Sequence, residues 1–417
     1  MKKIKINGGK ELKGTIKISG AKNSAVALVP ASLLSDGIVT IDNIPNISDI
    51  DALNEILEFL GAKVRRENDR MIIDQTNLEN KEIPESKAKK LRASYYFMSA
   101  LLGKYKYVEM YFPGGCSIGA RPIDQTLKGF RALGAEVIEE GNKFTIDAKE
   151  LVGSEVSLDM PSVGATINTI LVAVKAKGTT TILNAAKEPE IVNVATFLNN
   201  MGAKITGAGT SEITIKGVNK LGDGFAEVIP DRIEAGTYVI AGALVGNRLK
   251  IENIIPEHIE SLTLKLKEMN VPLEIHEDYL IVSKCENMKP VNIKTQGYPG
   301  FATDLQQPMT ALLIGANGTS VLEETIYENR FQNVPFLNEM GADIIIDGRK
   351  IYVKGPKSLT GKEIIATDLR AGACLVLAGL KANGITIIKE VEHILRGYEN
   401  IIEKLKNVGA DIVLVDE

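Results

Sequence analysis

Cysteine and histidine are scarce. The 417 residues hold three cysteines, Cys116, Cys285 and Cys374, an odd number set far apart. That excludes a disulfide framework and suits a reducing compartment, so each thiol is judged singly. Three scattered histidines, His258, His276 and His393, and the lack of any HExxH, CxxC or GxxxxGK[ST] pattern exclude a histidine-rich metal site and P-loop nucleotide hydrolysis. No window reaches the ~18 continuous apolar residues of a membrane span. The opening MKKIKINGGKELKG has the positive start of a leader, but it alternates Lys and Ile with no apolar stretch behind it and reads as a first strand. A soluble, cytoplasmic protein is expected. Lys plus Arg total 49 against 53 Asp plus Glu, a net charge of -4, so there is no basic field for wrapping a duplex.

What is present is a globular balance, 44% hydrophobic and 24% charged, in a chain long enough for two or three domains. A short phrase recurs six times: LGAKV at Leu60, LGAEV at Leu133, MGAKI at Met201, MNVPL at Met269, MGADI at Met340 and VGADI at Val408. The intervals are 73, 68, 68, 71 and 68 residues. An amphipathic helical stretch precedes each phrase, and in five of the six a glycine ends that helix before an alternating strand. Further upstream each unit carries an Ala- and Leu-rich helix and a β-rich run, as in VALVPASLLSDGIVTIDNI or YVIAGALVGNRLKIENI. The second unit, with YYFMSALLGKYKYVEMYF, departs most. The expected fold is α/β, six repeated units of about 70 residues in two lobes of three, with buried helices surrounded by sheets. The alternative is a solenoid, for which units of this size with two helices each are large.

Polar residues break the pattern at two places in each unit. At the starts of the buried helices stand Lys22 with Asn23, Arg92, Ser162 with Gly164, Asp231 with Glu234, Asp304, and Asp368 with Arg370. In the loops after the central strands stand Asp49, the run Cys116–Asp124, Glu188 with Glu190, His258, Arg330 and Arg396. Only 12 of the 49 basic residues are Arg, and five of those, Arg92, Arg121, Arg330, Arg370 and Arg396, occupy these positions. Helix N-termini and planar guanidiniums both suit phosphate or carboxylate, so an anionic substrate held between the lobes is expected. The competing reading is helix capping and local ion pairing.

Cys116 lies in PGGCSIGARPIDQT, among glycines and prolines, on a loop rather than a packed face. Arg121 nearby favours its thiolate. With no histidine suited to pair with it, the thiol is expected to donate a proton or to act as a short-lived nucleophile. Cys374, in AGACLVLAGL, reads as a buried, inert thiol. Carboxylates are then the natural bases. Asp304 in FATDLQQP leads them, although it would equally serve as an N-cap.

The segments PGGCSIGARPIDQ, GAKNSA, PSVGAT, PDRIEAGT, ATDLQQP, ENRF, ATDLRAG and HILRGYE, spread along the whole chain, resemble the UDP-N-acetylglucosamine 1-carboxyvinyltransferases of the enolpyruvyl transferase family. The resemblance implies a two-lobed inside-out α/β barrel, with residues 1–21 and 230–417 in one lobe and 22–229 in the other. It implies transfer of the enolpyruvyl group of phosphoenolpyruvate to the 3'-hydroxyl of UDP-N-acetylglucosamine through a tetrahedral intermediate. No metal and no other cofactor is implied, and the expected partners are the two small-molecule substrates, with one copy of the chain sufficing. Cys116 would be the proton donor that can attack phosphoenolpyruvate, and Asp304 the base. Lys22, Arg121 and Arg396 would hold the phosphoenolpyruvate anion, Lys22 and Arg396 counting with the catalytic set. Arg92, Arg330, Asp368 and Arg370 would complete the charged lining. Asn23 and Asp304 would meet the amino sugar, and Ile326 would pack near it. Arg121, Pro122, Ile123, Asp124, Gln125, Ser162, Val163 and Gly164 would meet the uridine diphosphate. Met160 and Pro161 stand where some members carry Lys, which removes one phosphate contact. A cysteine in the loop implies alkylation by fosfomycin.

Two rival readings are an enzyme resembling 5-enolpyruvylshikimate-3-phosphate synthase, which lacks the Gly-Gly-Cys loop, and a non-catalytic binding scaffold built of repeats. The acidic total opposes a nucleic-acid clamp.

Overall fold

A computed structural model describes residues 2–114 and 123–416. They form an α/β protein that divides into two compact bodies. One comprises residues 20–114 and 123–229; the other joins residues 2–19 to 230–416. Each body has its own apolar core.

In the first body the helices Lys22–Ala31, Tyr95–Tyr105 and Val163–Ala173 bury most of their residues on every side. In the second body Arg232–Val245, Thr303–Leu313 and Leu369–Lys381 do the same, and these three pack on one another. Helices apolar all round find no stable place at a surface, so the sheets take the outside. Their strands alternate accordingly. Val39 and Ile41 of strand Ile38–Asp42 are fully buried while Ile38 is half exposed.

Five of the six sheets among the described residues have four strands in one pattern: a short strand parallel to a central strand, which pairs antiparallel with the next. Gly224–Glu227, Ile38–Asp42, Arg70–Asp74 and Lys63–Glu67 are an example. The sheet of Tyr107–Tyr111, Lys143–Asp147 and Glu136–Glu140 has three. Its fourth strand shrinks to a single bridge, Ile83 to Met110, because Pro84 follows and lacks the N–H that a ladder needs. In the last sheet the opening strand Lys2–Asn7 lies between Ile385–Lys389 and Asp411–Asp416, with Ile4 opposite both Ile388 and Leu414.

The six recurring phrases end the amphipathic helices. Gly61, Gly134, Gly202, Gly341 and Gly409 all take positive φ there, and in the unit without glycine Asn270 does the same at φ 67°. A second turn also recurs. Asn43, Asn184 and Asn253 adopt φ near 58° after their central strands. Each donates its side-chain amide to the carbonyl beyond the parallel strand, Val228, Leu158 and Ile18 respectively, at 2.7 to 2.9 Å. No helix among the described residues is long and apolar enough to cross a membrane.

Candidate active site

In the first body Lys22 opens its helix and places Nζ 2.8 Å from Asp49 Oδ2, both side chains being largely buried. Asp49 lies in the first turn of helix Ser48–Phe59, Asp124 in that of Asp124–Ala132, and Glu190 in that of Pro189–Asn200. The loop positions expected for these three are therefore corrected to helix starts, where a carboxylate meets the positive end of the dipole. Asn23 is half-buried in the turn that Lys22 opens. Arg92, in the single turn Arg92–Ser94, lays its guanidinium over the rings of Tyr95 at 5.5 Å and Phe112 at 5.6 Å.

Ser162 caps the third buried helix, its Oγ accepting the N–H of Ala165 at 3.2 Å. Val163 and Gly164 follow. A Cβ on Gly164 would stand 1.9 Å from the Tyr95 hydroxyl oxygen, so glycine here lets the starts of two helices meet. Ile123 is buried just before Asp124. Gln125 donates Nε2 to Asp159 at 2.8 Å and to Asp124 at 3.0 Å, and its Oε1 accepts the N–H of Asp159 at 2.9 Å. Lys128 joins Asp159 at 2.7 Å. Cys116, Arg121 and Pro122 lie outside the described residues.

In the second body three expected residues converge. Asp304 Oδ1 accepts from Nη2 of Arg330 at 2.6 Å, while Oδ2 accepts from Nη2 and Nε of Arg370 at 2.9 and 3.2 Å. Asp304 does not cap its helix. Ala302 occupies that position and no side chain caps there. Burial acts to raise the Asp304 pKa, but the charges of Arg370 and Arg330 and their hydrogen bonds outweigh it and hold the carboxyl well below the usual range. Such a carboxylate is a weak base and a strong hydrogen-bond acceptor.

Asp368 is committed to capping. Its Oδ1 accepts the N–H groups of Arg370 and Ala371 at 2.8 and 2.9 Å, and Oδ2 lies 3.4 Å from Gln307 Nε2. Arg370 also lies over the Tyr398 ring at 5.2 Å. Ile326 is 40% exposed, with its N–H on Glu324 Oε1 at 2.8 Å. Arg396 ends the short helix Glu392–Leu395. Cys374 is buried, and burial pushes its thiol up to about 12, so it is chemically quiet.

Thr303 and Glu324 escaped the sequence reading, as did Tyr95. Thr303 accepts from Nη1 of Arg330 at 2.8 Å and donates to Glu324 Oε2 at 2.8 Å. The signal in the sequence was one acidic residue at a place where the other units are apolar.

In the second body a carboxylate is thus clasped by two buried guanidiniums, and in the first Lys22 and Arg92 stand at helix starts. The family model for EPSP synthase (3-phosphoshikimate 1-carboxyvinyltransferase) matches residues 6–405, and the chain belongs to that family. UDP-N-acetylglucosamine 1-carboxyvinyltransferase 2 of Geobacillus kaustophilus is 54% identical to it, over 99% of this chain and 96% of that one. UDP-N-acetylglucosamine 1-carboxyvinyltransferase 1 of Streptococcus agalactiae is 53% identical, over 100% of both chains. Among solved structures, the enolpyruvyl transferase NikO from Streptomyces tendae superposes with a TM-score of 0.90 at 26% identity, covering 99% of each chain. EPSP synthase from Acinetobacter baumannii, at 19% identity and a TM-score of 0.77 over the whole of both chains, shares the fold.

Proposed function

We propose that this chain transfers the enolpyruvyl group of phosphoenolpyruvate to the 3'-hydroxyl of UDP-N-acetylglucosamine and releases phosphate. This is the first committed step of peptidoglycan synthesis, carried out in the cytoplasm. The observation that carries the reading is identity of 53 to 54% along essentially the full chain to enzymes of that name. We read the six units as an inside-out α/β barrel in each lobe.

The chemistry needs three things: a proton delivered to the methylene carbon, a proton taken from the sugar hydroxyl, and positive charge around phosphate and carboxylate. In the addition step C3 of phosphoenolpyruvate gains a proton and O3' bonds to C2, giving a tetrahedral ketal. Elimination then breaks the C2–O bond to phosphate and returns a proton from C3. Cys116 is assigned as the donor that can also bond covalently to C2. Lys22, Arg121 and Arg396 hold phosphoenolpyruvate, and Arg92, Arg330 and Arg370 line the site. Asn23, Pro122, Ile123, Asp124, Gln125, Ser162, Val163, Gly164 and Ile326 meet the sugar nucleotide.

Asp304 fits a base of one particular kind. An alcohol proton is hard to remove beforehand but is strongly acidic once oxygen has bonded to C2. A weakly basic, firmly oriented carboxylate is therefore adequate when it acts late.

The test is phosphate release from phosphoenolpyruvate in the presence of UDP-N-acetylglucosamine, repeated after fosfomycin. Turnover that fosfomycin abolishes, with one adduct on the Cys116 peptide, supports the assignment. Turnover untouched by fosfomycin removes Cys116 from it.

A further inference from the structure

In each of four units the residue that follows the recurring turn or strand end donates its backbone N–H across to the antiparallel neighbour: Ile44 to Asp69, Phe112 to Asn142, Ala185 to Ser211 and Ile254 to Asp278. All four side chains are apolar, and Ile44, Ala185 and Ile254 are fully buried. Glu324 makes the same bond, to Arg349 at 2.8 Å, and is 1% exposed. The fold is thus content with an aliphatic group at this place. Burying a carboxylate there costs stability unless every oxygen is satisfied.

Neutral donors satisfy it. Oε1 accepts from the Thr295 hydroxyl at 3.0 Å and from the N–H groups of Ile326 and Tyr327 at 2.8 and 3.2 Å. Oε2 accepts from the Thr303 hydroxyl at 2.8 Å. A hydroxyl has one proton to give. With that proton on Glu324, the lone pairs of Thr303 Oγ1 receive Nη1 of Arg330 at 2.8 Å. The guanidinium is planar, so fixing Nη1 also aims Nη2, which lies 2.6 Å from Asp304 Oδ1.

We propose that Glu324 and Thr303 are positioning residues of the transfer reaction: Glu324 fixes the Thr303 hydroxyl, the hydroxyl holds Arg330 against Asp304, and the same carboxylate orders the segment carrying Ile326. The inference rests on the function proposed above and adds the groups that aim its carboxylate.

Three variants test it. Thr303→Val removes the hydroxyl and keeps the shape, Thr303→Ser keeps the hydroxyl, and Glu324→Ile installs the residue the fold uses at Ile44 and Ile254. Thr303→Val and Glu324→Ile are expected to lower kcat by roughly 10- to 100-fold, the scale of a misaimed catalytic group, with the KM for phosphoenolpyruvate little changed. Thr303→Ser is expected to stay near wild type, and all three to unfold cooperatively. Equal activity of Thr303→Val and Thr303→Ser would overturn the proposal. Crystal structures of Thr303→Val and Thr303→Ser supply a readout free of the reaction. Arg330 is expected to leave Asp304 in the first and to stay in the second; a contact kept in both also overturns it. If the wild-type protein is inert toward UDP-N-acetylglucosamine, the assigned function fails, and the crystal structures still decide the positioning role.

Discussion

Arg370 donates two hydrogen bonds to one oxygen of Asp304, from Nη2 at 2.9 Å and Nε at 3.2 Å, across 66 residues of sequence. Arg330 takes the other oxygen, and both guanidiniums are almost fully buried. The three groups hold one another in place, and removal of Asp304 would strand two buried cations.

Asp304→Ala leaves two buried cations without their anion and is expected to destabilise the fold by about 3 kcal/mol, the low end for broken buried pairs because the carboxylate is a quarter exposed. Turnover should fall further than binding of the sugar nucleotide, as calorimetric titration and steady-state kinetics would measure; equal losses would make Asp304 a binding residue only. The pKa of Asp304 is depressed in the folded state, so its contribution to stability is present above the ordinary carboxylate range and disappears only in stronger acid. Any acid limb of kcat/KM between pH 5 and 7 should therefore persist in the residual activity of Asp304→Asn.

Glu234 titrates the opposite way. Burial raises its carboxyl to about 7, against the pull of Lys404, whose Nζ lies 2.6 Å from Oε1, and of the Ser19 N–H at 2.8 Å from Oε2. A raised folded pKa means that the group's contribution is fully present below the unfolded value and is lost as pH rises through about 7. The melting temperature of wild type minus that of Glu234→Gln is expected to fall between pH 5 and pH 8. A constant difference would show that Glu234 is ionised throughout.

Gly164→Ala forces a methyl group onto the Tyr95 hydroxyl and is expected to cost about 1 to 3 kcal/mol, the usual range for overpacking. Adding Tyr95→Phe removes the nearest atom. The double variant should recover part of the loss in urea denaturation; strictly additive losses would mean that the two side chains do not meet.

Asn270 stands alone among the six helix ends in taking positive φ without being glycine. Asn270→Gly should be neutral or mildly stabilising, and Asn270→Ala should cost about 1 kcal/mol, because a Cβ disfavours that conformation. Equal stability of the two variants would contradict the repeat-wide role of this turn.

The repeat was legible because its marks are local: glycine after an amphipathic helix, and alternation in the strand that follows. Asp304 was visible for the same reason, as a charge at the start of an apolar helix. Its partners were not, since Arg330 and Arg370 reach it from distant elements and such pairings leave no trace in spacing. Asp304 is not the cap because the helix already begins at Thr303, with Ala302 in the cap position. The pairing of Lys2–Asn7 with the end of the chain is likewise non-local. Glu324 went unnoticed because an acidic residue at a strand end ordinarily faces water. The repeat does mark it as the acidic residue at a place where the other units are apolar, but only the structure shows that it is buried there.

The central claim concerns the acceptor, and one assay addresses it. Purified protein is given phosphoenolpyruvate with either UDP-N-acetylglucosamine or shikimate 3-phosphate, and inorganic phosphate is followed over time. Release with the sugar nucleotide alone is the expected result; release with shikimate 3-phosphate alone, or with neither, would contradict the account.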